Sequence, residues 1–244
     1  MDAETFPHEP CANCSTAIVP GQNYCPNCGQ KAPTPRLSLH EIGAEFVHAL
    51  AHVDRSALSL IWQLLVRPGV VARDYVAGKR KRYFGPFAFL VVTVAFTSAV
   101  IAISGFQAVA SDAPNGFASF LQQHINLLFF FDVPLLAAAC RLMGIREPFN
   151  YAEYLVLTSY SGGLHSLFYA LVVIPVWYVL RSDTVLLTRL FYASLAFGPL
   201  YLAYGMYQFL PGRRFSSAIK GLFASLLTQA ATQGLVFLIG YFFL

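Results

Sequence analysis

The chain alternates between two kinds of pattern. From Tyr83 onward, apolar residues run on with almost no interruption, whereas before it polar residues recur every few positions. Five runs are long enough to cross a bilayer. Tyr83–Ser111, Tyr154–Leu180, Leu190–Gly212 and Gly221–Leu244 hold no charged residue, and Ala113–Cys140 holds only Asp132. A hydrocarbon core of ~30 Å takes about 20 apolar residues in a helix, so each run predicts one transmembrane span. The spans fall at about 86–108, 117–140, 154–180, 190–210 and 221–243. The alternating pattern of a membrane barrel is missing, and too little polar sequence separates the runs to coat a water-soluble helical core. Gly162-Gly163, inside the third run, is the place where a break or re-entrant turn would change the count.

Ahead of the spans the pattern is finer. The prolines of Lys31–Arg36 read as a linker. Ser38 and Glu41 form a capping-box pair for an amphipathic helix, with Leu39, Ile42, Phe46, Leu50 and Val53 on its apolar face. Glu41, Glu45, His48 and His52 share another face, and the Glu45/His48 and His48/His52 spacings match helical metal ligands. Such a stripe is also what a solvated polar face looks like, which is the stronger reading here. Ala57–Val66 is too short to span and is expected in the interface plane or under the bundle. Arg67-Pro68-Gly69 breaks the chain, and a short helix from Val70 to Ala77 ends at Gly78. Lys79, Arg80, Lys81 and Arg82, beside Tyr83 and Phe84, read as an anchor for anionic lipid headgroups.

Composition agrees with a bilayer protein. The chain has 244 residues, 57% hydrophobic and 11% charged, where a soluble domain carries about 25% charged residues. An ordinary soluble enzyme is thereby excluded. The opening Met1-Asp2-Ala3-Glu4 is acidic and leads into no apolar run, so no secretory signal peptide is expected and the N-terminal segment is assigned to the cytoplasm. Orientation follows from the basic residues. With the N-terminus inside, 14 of the 16 Lys and Arg residues lie on the cytoplasmic side, and only Arg181 and Arg189 fall outside. The expectation is a multi-pass inner-membrane protein with a periplasmic C-terminus.

Four of the five cysteines, Cys11, Cys14, Cys25 and Cys28, form two C-x-x-C knuckles separated by ten residues. This spacing places four thiolates around one tetrahedral ion, so one structural zinc is expected in a ribbon over residues 1–30. A segment this short buries too little apolar surface to fold without the metal. Four thiolates leave no open position for catalysis. Residues 1–30 hold no Lys or Arg, which excludes nucleic acid and favours a protein partner. The organisation is then a ribbon (1–30), a linker (31–37), amphipathic and interfacial helices with the basic anchor (38–82), and an all-α five-helix transmembrane bundle (83–244).

Ionisable groups at membrane depth are costly and mark candidate sites. Asp132, His165 and His124 qualify, and Glu153 borders the third span. At helical rise Asp132 lies about 12 Å from Cys140 and His165 about 16 Å from Tyr154, depths that match within a turn. A pair joining spans two and three is expected, with a proton or cation path through Glu153, Asp132, His165 and His124 as the sharper alternative. No G-x-S-x-G, H-E-x-x-H or P-loop is present.

Together these pieces resemble a bacterial family of uncharacterised multi-spanning membrane proteins, a domain of unknown function with an N-terminal zinc ribbon. The resemblance rests on Cys11-x-x-Cys14, Cys25-Pro26-x-Cys28-Gly29-Gln30-Lys31, Phe46-x-His48-x-x-x-His52-x-Asp54, Arg67-Pro68-Gly69 and Gly78-Lys79-Arg80-x-Arg82-Tyr83-x-x-Pro86-Phe87. It implies that the Glu45, His48, His52 and Asp54 segment and the Arg67–Phe87 segment are family features. The leading expectation is an accessory or regulatory module whose ribbon contacts a protein. The alternatives are a small transporter or channel using Asp132 and His165, and a metalloenzyme using His48 and His52. The balance leans against an enzyme, and self-association is a further candidate.

Overall fold

A computed structural model describes residues 9–40, 56–106, 128–180, 184–212 and 214–243. The cysteine segment folds first in the chain. Two short antiparallel strands, β1 (Glu9–Pro10) and β2 (Ala17–Ile18), flank the first knuckle, and a bridge between Tyr24 and Lys31 flanks the second. Each knuckle turns through the left-handed region just after its second cysteine, at Ser15 (φ 62°) and at Gly29 (φ 67°). Glycine enters that region at no steric cost, whereas a serine there is uncommon.

Among the described residues, nine α-helices make up the body: α1 (Ser56–Val66), α2 (Pro68–Val76), α3 (Pro86–Ser104), α4 (Leu128–Met143), α5 (Tyr151–Phe168), α6 (Ile174–Leu180), α7 (Thr184–Leu195), α8 (Phe197–Phe209) and α9 (Arg214–Phe243). Helix α5 is the axis. Fourteen of its eighteen residues are buried, and it packs against α2, α3, α4 and α8. Its start is fixed by a capping box. Asn150 Oδ1 accepts from the Glu153 amide at 2.9 Å, and Glu153 Oε2 accepts from the Asn150 amide at 2.6 Å.

The helix runs straight through Gly162-Gly163, the place where a break or re-entrant turn would have changed the count of spans. These glycines serve packing instead: a Cβ on Gly162 would lie 2.7 Å from Val133 Cγ2, and one on Gly163 2.6 Å from Phe89 Cδ1. The irregularity comes later, as a π-helical turn over Tyr169–Val173 between α5 and α6. Pro175 follows at once and has no N–H to give back to the preceding turn, a gap that a widened turn absorbs.

Beneath the bundle, α1 and α2 form a platform. Leu60 and Leu64 are buried, so the apolar run too short to span packs under the helices. The last carbonyls of α1 find partners on α8: Tyr201 donates to Leu64 O at 2.9 Å, and Tyr204 donates to Val66 O at 2.7 Å. Helix α2 meets α8 at Gly69, where a Cβ would collide with Gly205 O and lie 2.6 Å from Gln208 Cβ. The Gly69 amide donates to Gln208 Oε1 at 3.1 Å, and Arg73 donates to the Gln208 carbonyl. The Arg67-Pro68-Gly69 motif thus starts α2 with proline at its first position and lets the two backbones meet.

Among the described residues, three helices have the length and hydropathy to cross a membrane: Pro86–Ser104, Tyr151–Leu180 and Val185–Phe209. Five were expected. The second expected span extends into residues 107–127, outside those described, which leaves the 16 residues of α4. The fifth falls in α9, a continuous 30-residue helix whose middle carries Thr228, Gln229, Thr232 and Gln233. Between α3 and α5, Thr97 donates to Ser166 O at 3.0 Å and accepts from Ser166 Oγ at 2.8 Å, a polar clamp between apolar helices.

Candidate functional site

The four knuckle cysteines converge. Cys11 and Cys28 sulfurs are 3.7 Å apart, Cys14 and Cys25 sulfurs 3.5 Å, and all four lie within 4.8 Å of one another. Four sulfurs bonded at ~2.3 Å to one tetrahedral ion stand about 3.8 Å apart, whereas a disulfide needs about 2.05 Å. The cluster therefore fits a metal ion and not a pair of disulfides. The thiols are unequal. Burial raises Cys11 to about 11, while hydrogen bonding to the side chain and backbone of Thr16 brings Cys14 down to about 6. Cys14 supplies a ready thiolate at neutral pH, and Cys11 gives up its proton only when an ion takes its place.

This module is fastened to the helices by the residues that follow it. Gln30, two positions after Cys28, is buried. Its Nε2 donates to Gly78 O at 2.6 Å, and its Oε1 accepts from the amides of Arg80 at 3.1 Å and Lys81 at 3.3 Å. Gly78, at φ 100°, turns that carbonyl toward Gln30, and a Cβ there would lie 3.0 Å from Ala12 Cβ. Residues 31–37, expected as a linker, are held at several points. Ala32 donates to Asn23 O at 2.9 Å, Arg80 donates to Pro35 O at 2.7 Å, and Leu37 is 2% exposed within the helical core. Arg36 grips Glu153 with two bonds, Nε to Oε1 at 2.7 Å and Nη2 to Oε2 at 2.9 Å. Asn150 Nδ2 adds a bond to Leu37 O at 3.1 Å.

The basic run divides its work. Lys79 pairs with Asp74 at 2.9 Å, and Arg80 reaches Pro35, while Lys81 and Arg82 face outward. Burial opposes ionisation of Asp74, but hydrogen bonds from Lys79 and Tyr83 and the charges of Lys79 and Arg82 outweigh it, so its carboxyl sits below the usual range.

A second polar locus lies inside the bundle. Asp132 and Leu136 of α4, Ser161, Gly162 and His165 of α5, Gly198 and Leu202 of α8, and Ser225, Thr228 and Gln229 of α9 line a cavity of about 80 Å³. Asp132 and His165 thus share one cavity, as their depths suggested. The hydrogen bond to Asp132, however, comes from Thr232 Oγ1 of α9 at 2.5 Å, not from α5. His165 packs its ring against Tyr169 and Phe197. Glu153 stands apart from this cavity, with Arg36 and the start of α5 occupying both its oxygens. His124, Glu45, His48, His52 and Asp54 lie outside the described residues.

Sequence reasoning missed Gln30 and Arg36 as docking residues, Ser161, Ser225, Thr228 and Gln229 as cavity lining, and Thr232 as the partner of Asp132. Gln30 carried a signal, being part of the Cys28-Gly29-Gln30 string. The others had none, since scattered hydroxyls and amides in apolar helices are ordinary.

Comparison with known proteins adds one match. The family model described as "Protein of unknown function (DUF3667)" matches residues 59–97, which run from α1 through the basic loop into α3. No curated protein and no solved structure matches. Over that segment the chain is similar to a family of unknown function, and the segment contains both Arg67-Pro68-Gly69 and the Gly78–Phe87 string.

Proposed function

We propose that this is an inner-membrane accessory or regulatory protein in which a zinc-clamped cytoplasmic ribbon forms a rigid docking head for another protein. One observation carries the reading: the ribbon is locked to the membrane-entry loop through Gln30, while it leaves Tyr24 (62% exposed) and Val19 (48% exposed) on its surface. A ribbon needed only as a plug would bury such groups. No charged side chain intervenes between Pro10 and Gln30, so the head suits an uncharged or apolar protein surface and offers phosphates nothing. Zinc suits the all-thiolate donor set and would act structurally, since four sulfurs fill its coordination shell. The five-span topology, with cytoplasmic N-terminus and periplasmic C-terminus, is part of the proposal. The polar contacts of Arg36 with Glu153 and of Lys220 with Glu147 (3.0 Å) join segments assigned to the same cytoplasmic side and support it. Lys81 and Arg82 would face anionic headgroups there.

The test is a photo-crosslinking amino acid at position 24 in the full-length protein, expressed in its native membrane. A discrete adduct with one other protein, lost when Cys25→Ser removes the clamp, is the expected result. Smeared labelling that Cys25→Ser leaves unchanged refutes the docking head. A ladder of adducts made only of this chain would reassign the head to self-association.

A second reading has its own observation. The cavity holding Asp132 and His165 supports a small transporter or channel, tested by flux in liposomes with Asp132→Asn as the control. The metalloenzyme alternative depends on His48 and His52, which lie outside the described residues.

A further inference from the structure

The cavity between α4, α5, α8 and α9 contains more oxygen than packing requires. Ser161 is 6% exposed, lines the cavity, and its hydroxyl is buried with no hydrogen-bond partner among the described residues. On the same helix Thr158 bonds back to Tyr154 O at 3.2 Å and Ser166 reaches Thr97; Ser159 Oγ is also buried without a partner, but of the two such serines only Ser161 lines the cavity. Leaving a buried hydroxyl without a partner is unfavourable, most of all in a bilayer, so Ser161 points to a ligand. The other polar groups have already spent a proton elsewhere. Thr228 donates to Ala224 O at 2.9 Å, Gln229 donates its amide to Leu195 O at 3.4 Å, and Thr232 donates to Asp132 Oδ1. These groups keep lone pairs to offer: those of the Thr228 hydroxyl oxygen, Gln229 Oε1 and Asp132 Oδ2.

We propose that the cavity is a binding site for one small monovalent cation, Na⁺ being the best fit. Its donors are hard oxygens from Asp132, Ser161, Thr228 and Gln229, the set that alkali and alkaline-earth ions prefer over transition metals. Among the described residues, Asp132 is the only acid in the lining. One carboxylate balances a single positive charge, and a divalent ion in hydrocarbon would keep an uncompensated charge. Among the described residues, His165 is the one histidine in the lining, too few for a zinc or copper site. A volume of about 80 Å³ takes an ion with a few waters. Gly198 keeps the wall thin, because a Cβ there would lie 3.3 Å from His165 Cε1. The site rests on the cavity of the second reading, but it does not require the ion to move.

The experiment is thermal unfolding of the full-length protein in nanodiscs, titrating NaCl against choline chloride at constant ionic strength. The melting temperature should rise saturably with Na⁺. Asp132→Asn should weaken the apparent affinity at least about tenfold, and Ser161→Ala by a smaller factor. Equal melting temperatures in Na⁺ and choline overturn the site, as does a Na⁺ response that both variants retain in full. A response to Ca²⁺ or Mg²⁺ without one to Na⁺ overturns the monovalent assignment. Should Asp132→Asn fail to fold, Ser161→Ala and ²³Na line broadening on the wild type decide. Flux is scored separately: Na⁺ stabilisation without Na⁺ flux leaves the site and removes the pathway, and flux without stabilisation does the reverse.

Discussion

At the scale of single residues, the glycines and the charged groups carry most of the specification. Gly69 is the sharpest case, because its missing side chain is where α2 meets the backbone of α8. Gly69→Ala should lower stability by about 1–3 kcal/mol, the usual cost of overpacking, measured as a fall in melting temperature of the purified protein. Gly234→Ala, where nothing lies within 4 Å of the added Cβ, gives the control. The string Arg67-Pro68-Gly69 was legible as a chain break, but not as a helix–helix contact, since its partner lies more than a hundred residues away. Glu153 shows the same limit. Its position at a span end suggested a proton path, and its actual partner, Arg36, is separated from it by 117 residues. Asp74 adds a pH dependence. Its folded-state carboxyl is depressed, so its ion pair contributes stability above the ordinary carboxylate range near 3.8, and that contribution fades as pH falls through and below it. Asp74→Asn should flatten the acid limb of a pH–stability curve while leaving the neutral region slightly lower.

At the scale of elements, the cysteine module was the most legible part of the chain. Two C-x-x-C knuckles dictate four convergent sulfurs whatever lies between them, and Gly29 marks one of the two left-handed turns. Ser15 hid the other, because serine carries no such signal. Metal binding should be strongly pH-dependent in one direction. Cys11, pushed up to about 11 by burial, must release a proton on metal entry, so affinity should rise with pH and chelation should succeed more readily in mild acid. Absorbance of a Co²⁺-loaded protein, titrated from pH 8 to about 5, checks this: the thiolate–metal bands should fade on the acid side. The long helices were equally visible as apolar runs. Their irregularity was harder to place: the Gly162-Gly163 pair, which left a break open, is where side chains from Val133 and Phe89 need room. The π turn at Tyr169–Val173 had only Pro175 to announce it.

At the scale of the whole molecule, the outer surface decides the environment. Ile103, Phe131, Val179, Leu200 and Phe223 are all well exposed, on five different helices, a distribution that water would not tolerate and lipid would. The proposed sidedness rests on charge asymmetry: reporter fusions after residues 40, 146 and 215 should score cytoplasmic, and fusions after residues 182 and 243 periplasmic. A cytoplasmic C-terminal reporter would leave an even number of spans and remove the five-span topology. The interior was the least legible feature, since the meeting of Asp132, Ser161, His165 and Gln229 depends on the order in which α4, α5, α8 and α9 pack. Apolar patterning says which residues sit in lipid and nothing about which helices become neighbours.

The grip of Arg36 on Glu153 has a practical corollary for anyone dissecting the chain. Glu153 is 4% exposed and Arg36, on the surface side, is 62% exposed. A shortened chain that begins beyond position 36 would strand an anion at the root of the central helix and also withdraw Leu37 from the core. The resulting damage would masquerade as a requirement for the metal. A cut that spares Arg36 and Leu37, or point changes at the cysteines, would separate what the ion does from what its tether does.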